Sequence, residues 1–264
     1  MILRRLTKHV KDQNWFAVAL DFVIVVVGVC VALMGQQWLS DRQQREDMRR
    51  AEIPLKEDVL WIYFYAKERL ALVNCRTERY QAIAQKLLEP ETTWEGIPPI
   101  ATDPSRNNAL PMALRSPSRS WGSKIWDAEL ARGTFNQMDD ERLLRLDNLF
   151  TAAREAENLQ NDILDLQGEL KVLAVSTTII PGERLGYYNV LGRLDEKSVH
   201  LEIIAAQIIA TIELIGVDMT PEDRTSALSN LKERNEIGRA IYGDCHEPMT
   251  WPVLENKAAN ESVP

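Results

Sequence analysis

Between residues 15 and 39 the chain reads WFAVALDFVIVVVGVCVALMGQQWL, with Asp21 as the only charge. A helix needs about 20 consecutive apolar residues to cross a bilayer core, so this segment is long enough to span one. Trp15 and Trp38 bracket it, as aromatic rings do at the two membrane interfaces. Asp21, Gly28, Ala32 and Gly35 are spaced 7, 4 and 3 apart. At 100° per residue they fall within about 60° of one another on the helix surface. An acid and a ridge of small residues therefore share one face, and small ridges let helix backbones approach closely in lipid. Asp21 admits two readings, since it lies about 9 Å along the helix from Trp15. It contacts a partner, or it sits close enough to the interface for water and headgroups to reach it.

The charge of the chain is arranged around this segment. Residues 1–14 hold Arg4, Arg5, Lys8 and Lys11 against Asp12, a basic stub. From Ser40 onward there are 27 basic and 37 acidic side chains. A large acidic domain of about 225 residues is expected there, enough for a real core. Its charge argues against nucleic acid as a partner, which needs a clustered basic face. The stub and the apolar stretch also fit a cleaved signal peptide. However, the apolar stretch is longer than a signal core, and no small-x-small cleavage site follows, so an uncleaved anchor is expected.

Orientation does not follow from charge. Arg42, Arg45, Arg49 and Arg50 follow the span and balance the four basic residues before it. Cysteine usage decides instead. Cys30 lies in the span, leaving Cys75 and Cys245 as the only pair outside it. They form either one disulfide in an oxidising compartment or two small buried hydrophobes. A bridge would close a loop of about 170 residues.

Past the span, 40–53 has neither Gly nor Pro and reads as a helical stalk, with Pro54 expected to break or kink it. One helix is expected over 55–88, with a stripe through Val59, Ile62, Ala66, Leu70, Val73, Tyr80, Ala84 and Leu87. Six prolines between 90 and 119 predict a long irregular loop. A short helix over 120–132 ends at Gly133. A long one over 140–175 carries a near-heptad stripe from Leu143 and Leu146 to Leu170 and Leu173. Pro181, Gly182, Gly186 and Gly192 predict a connection over 177–193, with a short helix near Tyr187 and Tyr188. The apolar 196–215 is interrupted by Glu202, Gln207 and Glu213, which favours a buried helix over a second span. Thr220-Pro221-Glu222-Asp223 reads as a capping box opening a helix that Gly243 stops. No alternating strands are expected. The fold class is all-α: one transmembrane helix, a stalk, an antiparallel helical bundle over 54–256 and a flexible tail over 257–264.

Chemistry-bearing motifs are absent. There is no Gly-rich phosphate loop, no Gly-x-Ser-x-Gly elbow and no His-Glu-x-x-His. Cys245-His246 is the only adjacent pair of metal-type ligands and lacks a partner pair. Neither catalytic residues nor a cofactor or metal site are therefore expected. Trp121 and Trp126 either line a small pocket or plug a core.

The run from Asp21 through Gly28, Ala32 and Leu33 to Trp38 resembles the opening of a domain-of-unknown-function family of bacterial single-pass membrane proteins. The family pattern is an acid (usually Glu), six apolar residues, Gly, three apolar residues, Ala-Leu and a Trp five positions on. Met34 departs from a commonly polar position. Trp126 and Gly133 resemble, more loosely, a Trp-x6-Gly feature of the family's outer domain. The resemblance covers about 25 residues. It implies a Gram-negative inner-membrane anchor, with the N-terminus cytoplasmic and the helical domain periplasmic, and it brings no activity.

Three functions are compatible with these observations. The leading one is a non-enzymatic envelope protein that contacts the bilayer and, through the helix face, itself or another membrane or periplasmic protein. The second is a ligand-sensing bundle relaying to another membrane protein. The third is an enzyme, which would need a cleft of perturbed titratable groups.

Overall fold

In the computed structural model the described residues are 15–98, 111–217 and 219–251, with side chains described from residue 20 onward apart from Asp21. Helix makes up 79% of the structure, and the only strands among the described residues are two of two residues each, so the fold is all-α. In order the elements are α1 (Trp15–Leu70), α2 (Val73–Leu88), β1 (Thr93–Trp94), α3 (Lys124–Arg132), α4 (Asp140–Glu169), β2 (Thr177–Thr178), α5 (Pro181–Ile215) and α6 (Pro221–Tyr242). Short 3-10 turns lie at Met112–Leu114, Lys171–Ala174 and Gly243–Cys245. Of the irregular loop expected over 90–119, residues 99–110 lie outside the described set, as do 1–14 and 252–264.

The chain divides into two compact units. The first is Met1–Ile53 with Glu129–Gln137. Here α1 presents an apolar surface with no cover: every described side chain from Phe22 to Leu39 is exposed. Gly133, at φ 72°, ends α3 in a conformation that favours a residue without Cβ. Gln137 donates to Gln44 (2.8 Å) inside the same unit.

The second unit is Pro54–Ala128 with Met138–Pro264. Its centre is α4 lying along α5, with α2 packed on α5 as well. Leu146, Phe150, Ala153, Ala156, Leu159, Ile163 and Leu166 of the expected α4 stripe are buried, as is Leu149 beside it. Three/four spacing puts them on one face, and burial of each large side chain contributes about 1.5–3 kcal/mol. From α5 they meet a face that includes Leu194, Leu201, Ala205, Ile208 and Ile212.

Several expected boundaries differ. Pro54 does not end α1, which runs through it and forgoes one backbone hydrogen bond. The single helix expected over 55–88 is instead two. The break at 71–72 frees the Ala71 carbonyl, which accepts from the Glu247 N–H (2.9 Å), a contact that local sequence does not encode. The helix expected over 140–175 stops at Glu169 and finishes as a 3-10 turn. The connection expected over 177–193 is helical from Pro181. Proline is the first residue there, where it has no hydrogen bond to lose, and the Glu183 carboxylate accepts from the Ile180 N–H (3.1 Å). Buried Arg184, Leu191 and Leu194 anchor this first part of α5 and outweigh its glycines.

Arg184 forms a clasp. Its guanidinium donates to the carbonyls of Lys86 (2.8 Å) and Glu89 (3.2 Å) at the end of α2, of Thr93 (3.0 Å) on β1 and of Ile179 (3.4 Å). The strands pair antiparallel, Thr93 with Thr178 and Trp94 with Thr177. Trp94 is fully buried, and its indole N–H donates to the Leu173 carbonyl (3.0 Å).

The capping box of α6 forms as read. Thr220 accepts from the Asp223 N–H (3.1 Å) and the Asp223 carboxylate accepts from the Thr220 N–H (3.0 Å). A hydrogen bond from Lys56 (2.5 Å), followed by the backbone bond from Thr220, holds the Asp223 carboxyl below its usual range.

Candidate functional site

Among the described residues two helices are long and apolar enough to cross a membrane, the stretches Phe22–Leu70 and Pro181–Ile215. Their burial separates them. The most apolar window of the first is 0% buried, whereas that of the second is 44% buried and packs into the core through residues such as Ile204, Ala205 and Ile208. Of the expected anchor residues, Gly28, Ala32 and Gly35 are exposed, and a methyl group added at either glycine would meet nothing within 4 Å. The side chains of Trp15 and Asp21 lie outside the described residues. Trp38 is exposed, with the Arg42 guanidinium 5.8 Å from its ring.

Cys75 and Cys245 are joined as a disulfide with Cα atoms 5.0 Å apart, and Cys30 is an exposed free thiol. The bridge sits among Leu72, Tyr242 and Ile241. Around it the 241–251 segment is also tied by Glu247 to Ala71 and Asn74, and by Trp251, whose ring stacks on Tyr63 at 4.0 Å.

Trp121 and Trp126 are core residues. Trp126 stacks on Phe150 (5.0 Å) and the Trp121 indole donates to buried Gln160 (3.1 Å). Gln160 also accepts from the Arg119 N–H and donates back to the Arg119 carbonyl, tying the irregular 119–121 stretch to α4. Of the histidines, His9 lies outside the described residues and His200 is exposed beside Glu155 (3.5 Å). His246 is buried against Gly238 of α6, where a Cβ would lie 2.2 Å from its Nε2. Burial pushes the His246 imidazole below its usual value, the neutral form being preferred. An open depression of about 340 Å³ runs beside it, lined by Leu228, Leu231, Asn235, Arg239 and Met249 among others. Among the described residues no group of three or more His, Cys, Asp or Glu is placed to hold a metal.

Against the bridge, with Cys75 in its wall, lies a small pocket that local sequence did not announce. Arg69 at the end of α1, Arg76 and Arg79 on α2, and Arg115 after the Met112–Leu114 turn all line it, with Tyr242 and a single carboxylate, Glu202 of α5. Arg76 is paired: it donates to Glu202 through two nitrogens (2.6 and 3.0 Å) and also to Asp195. Burial opposes the charge of Arg76, but these bonds outweigh it and hold the guanidinium above its usual value. Arg69 is 4% exposed. Its one side-chain hydrogen bond is to the Pro117 carbonyl (3.0 Å), and its Nε is buried with no partner. Burial pulls this guanidinium below its usual value, with Glu202 and Glu68 acting only through space. Arg79 and Arg115 stand 5.7 and 5.9 Å from the Tyr242 ring centroid, neither bonded to a carboxylate. The only sequence trace was the spacing of seven and three that aligns Arg69, Arg76 and Arg79.

No family model, no curated protein and no solved structure matches this chain.

Proposed function

We propose that this chain is a single-pass inner-membrane protein of the bacterial envelope. In this reading α1 is lodged in lipid over 15–39 and 1–14 is cytoplasmic. Residues 40–53 form a stalk, and the helical domain from 54 onward lies in the periplasm. Its role is interaction or scaffolding without catalysis. The observation that carries the reading is the bare apolar surface of α1, where every described side chain from Phe22 to Leu39 is uncovered. Water tolerates scattered exposed apolar residues but not an uninterrupted sleeve of this length, whereas a bilayer requires one. The Cys75–Cys245 bridge supports a domain outside the reducing cytoplasm. Beside Asp21, the Gly28, Ala32 and Gly35 ridge is the face offered to a second transmembrane helix, from another copy or another protein. The likeness of this stretch to the domain-of-unknown-function family agrees with the proposal.

The test is alkaline carbonate extraction combined with protease access to a C-terminal tag in spheroplasts. Retention in the membrane pellet with a tag cut from outside is expected. Release into the wash, or a tag protected until the membrane is lysed, refutes the anchor or the orientation respectively. A transmembrane association assay tests the face: Gly28→Ile and Ala32→Ile are expected to abolish association, and unchanged association removes the ridge from the proposal.

A further inference from the structure

We infer that the pocket beside the disulfide is a binding site for a single carboxylate group, taken up by Arg69 and Arg115. Four guanidiniums line it against one carboxylate, in a protein whose net charge is −8. That carboxylate, Glu202, is already held by both arms of Arg76. Among the described residues, Arg69, Arg79 and Arg115 are therefore left without an anion in contact. Arg69 matters most. A guanidinium keeps its charge at any accessible pH, so it cannot relieve its burial by losing a proton. A buried charge without a bonded counter-charge is unfavourable, and one carbonyl oxygen does not satisfy five N–H donors.

Size and shape select the ligand. The cavity is about 20 Å³, so it takes in only the two oxygens of a head group, and the rest of the molecule stays outside. The fork of a guanidinium matches the two coplanar oxygens of a carboxylate. Tyr242, Leu72, Pro117 and the disulfide give the pocket apolar walls, which strengthen a charge-assisted bond by excluding water. The occupant is a small carboxylic acid, or the carboxylate end of a larger molecule whose remainder lies outside the mouth. The bridge and both helix ends that present the arginines converge here, so a bound carboxylate stabilises the fold where the chain closes on itself.

The experiment uses the full-length oxidised protein in detergent. Thermal unfolding is followed in sodium formate and sodium acetate, with chloride and phosphate at matched ionic strength. The expected result is a saturable rise in midpoint with formate and acetate only. Arg115→Gln, half-exposed at the mouth with no bonded carboxylate, is expected to weaken the apparent affinity at least tenfold and to stay folded. Arg69→Gln is expected to abolish saturation. Arg193→Gln, on the exposed surface of α5 opposite Glu169 (3.4 Å), is expected to leave it unchanged. Equal, unsaturable shifts for all four anions overturn the inference, as does phosphate saturating in preference to acetate. So does a loss of affinity in Arg193→Gln as large as in Arg115→Gln, which would make the effect one of general surface charge.

Discussion

Reducing the Cys75–Cys245 bridge is the most informative perturbation of the helical unit. The bond joins residues 170 apart in sequence, so it removes a large set of conformations from the unfolded chain. The loop-closure relation gives about 17 cal/mol/K, or about 5 kcal/mol at 25 °C, as an upper value for its contribution. Domains of this size are stable by roughly 5–15 kcal/mol in all, so reduction takes away a large share. It does not by itself unfold the molecule. The 241–251 segment keeps the Glu247 bond to Ala71, the reciprocal Asn235–Met249 pair and the Trp251 stack on Tyr63. The assay is urea unfolding in detergent with and without reductant, read by fluorescence of the buried tryptophans, in a Cys30→Ser background. With a slope of about 2.5 kcal/mol/M, the midpoint is expected to fall by about 2 M, and the slope to steepen as the reduced unfolded chain exposes more surface. Cys75→Ala/Cys245→Ala is expected to match the reduced protein and to ignore reductant. A midpoint unmoved by reductant refutes the argument. If the double variant loses stability while reductant does nothing, the loss belongs to side-chain packing rather than to the cross-link.

Gly238→Ala forces a methyl to 2.2 Å from His246 Nε2, and although alanine favours a helix by about 1 kcal/mol, overpacking of about 1–3 kcal/mol prevails. A lowered melting temperature, restored by adding His246→Ala, is expected, and no loss in the single variant contradicts the packing. Burial holds the folded His246 imidazole below the usual value of about 6.5, so the unfolded chain takes up the proton first. Its contribution is fully present above that value and declines as the pH falls below it. Denaturant midpoints from pH 7.5 to 5 should show the decline, and His246→Gln should flatten it; an identical slope in the variant disproves the assignment. Gln160→Leu strands the Arg119 N–H and carbonyl and the Trp121 indole N–H, at a cost of about 3 kcal/mol. Chemical denaturation measures it, and a loss under 1 kcal/mol means that water replaces the amide.

What was legible in the sequence was what local periodicity controls. The α4 stripe repeats Leu, Ala and Ile at helical spacing, and burial follows it from Leu146 to Leu173. Thr220, Pro221 and Gly243 mark the ends of α6 because caps are made by residues next to the helix they end. The break at 71–72 was not legible, since the amide that takes the Ala71 carbonyl belongs to Glu247, remote in sequence. The start of α5 at Pro181 was misread because its glycines speak for a loop, while the decisive Arg184 contacts lie on α2 and β1. Gln160 and Gln167 share the buried face of α4 because backbone segments elsewhere require partners there. The arginines of the pocket come from three separate stretches, and only the α1–α2 members carry a common spacing.

The Arg184 clasp makes one side chain answerable for several joints at once. Its four acceptors are peptide oxygens at the end of α2, on β1 and just before α5, so all of them lose their donor together when that one guanidinium is removed. A lysine in its place would keep the charge but not the planar fork of five N–H donors, and a single ammonium cannot serve all of these directions.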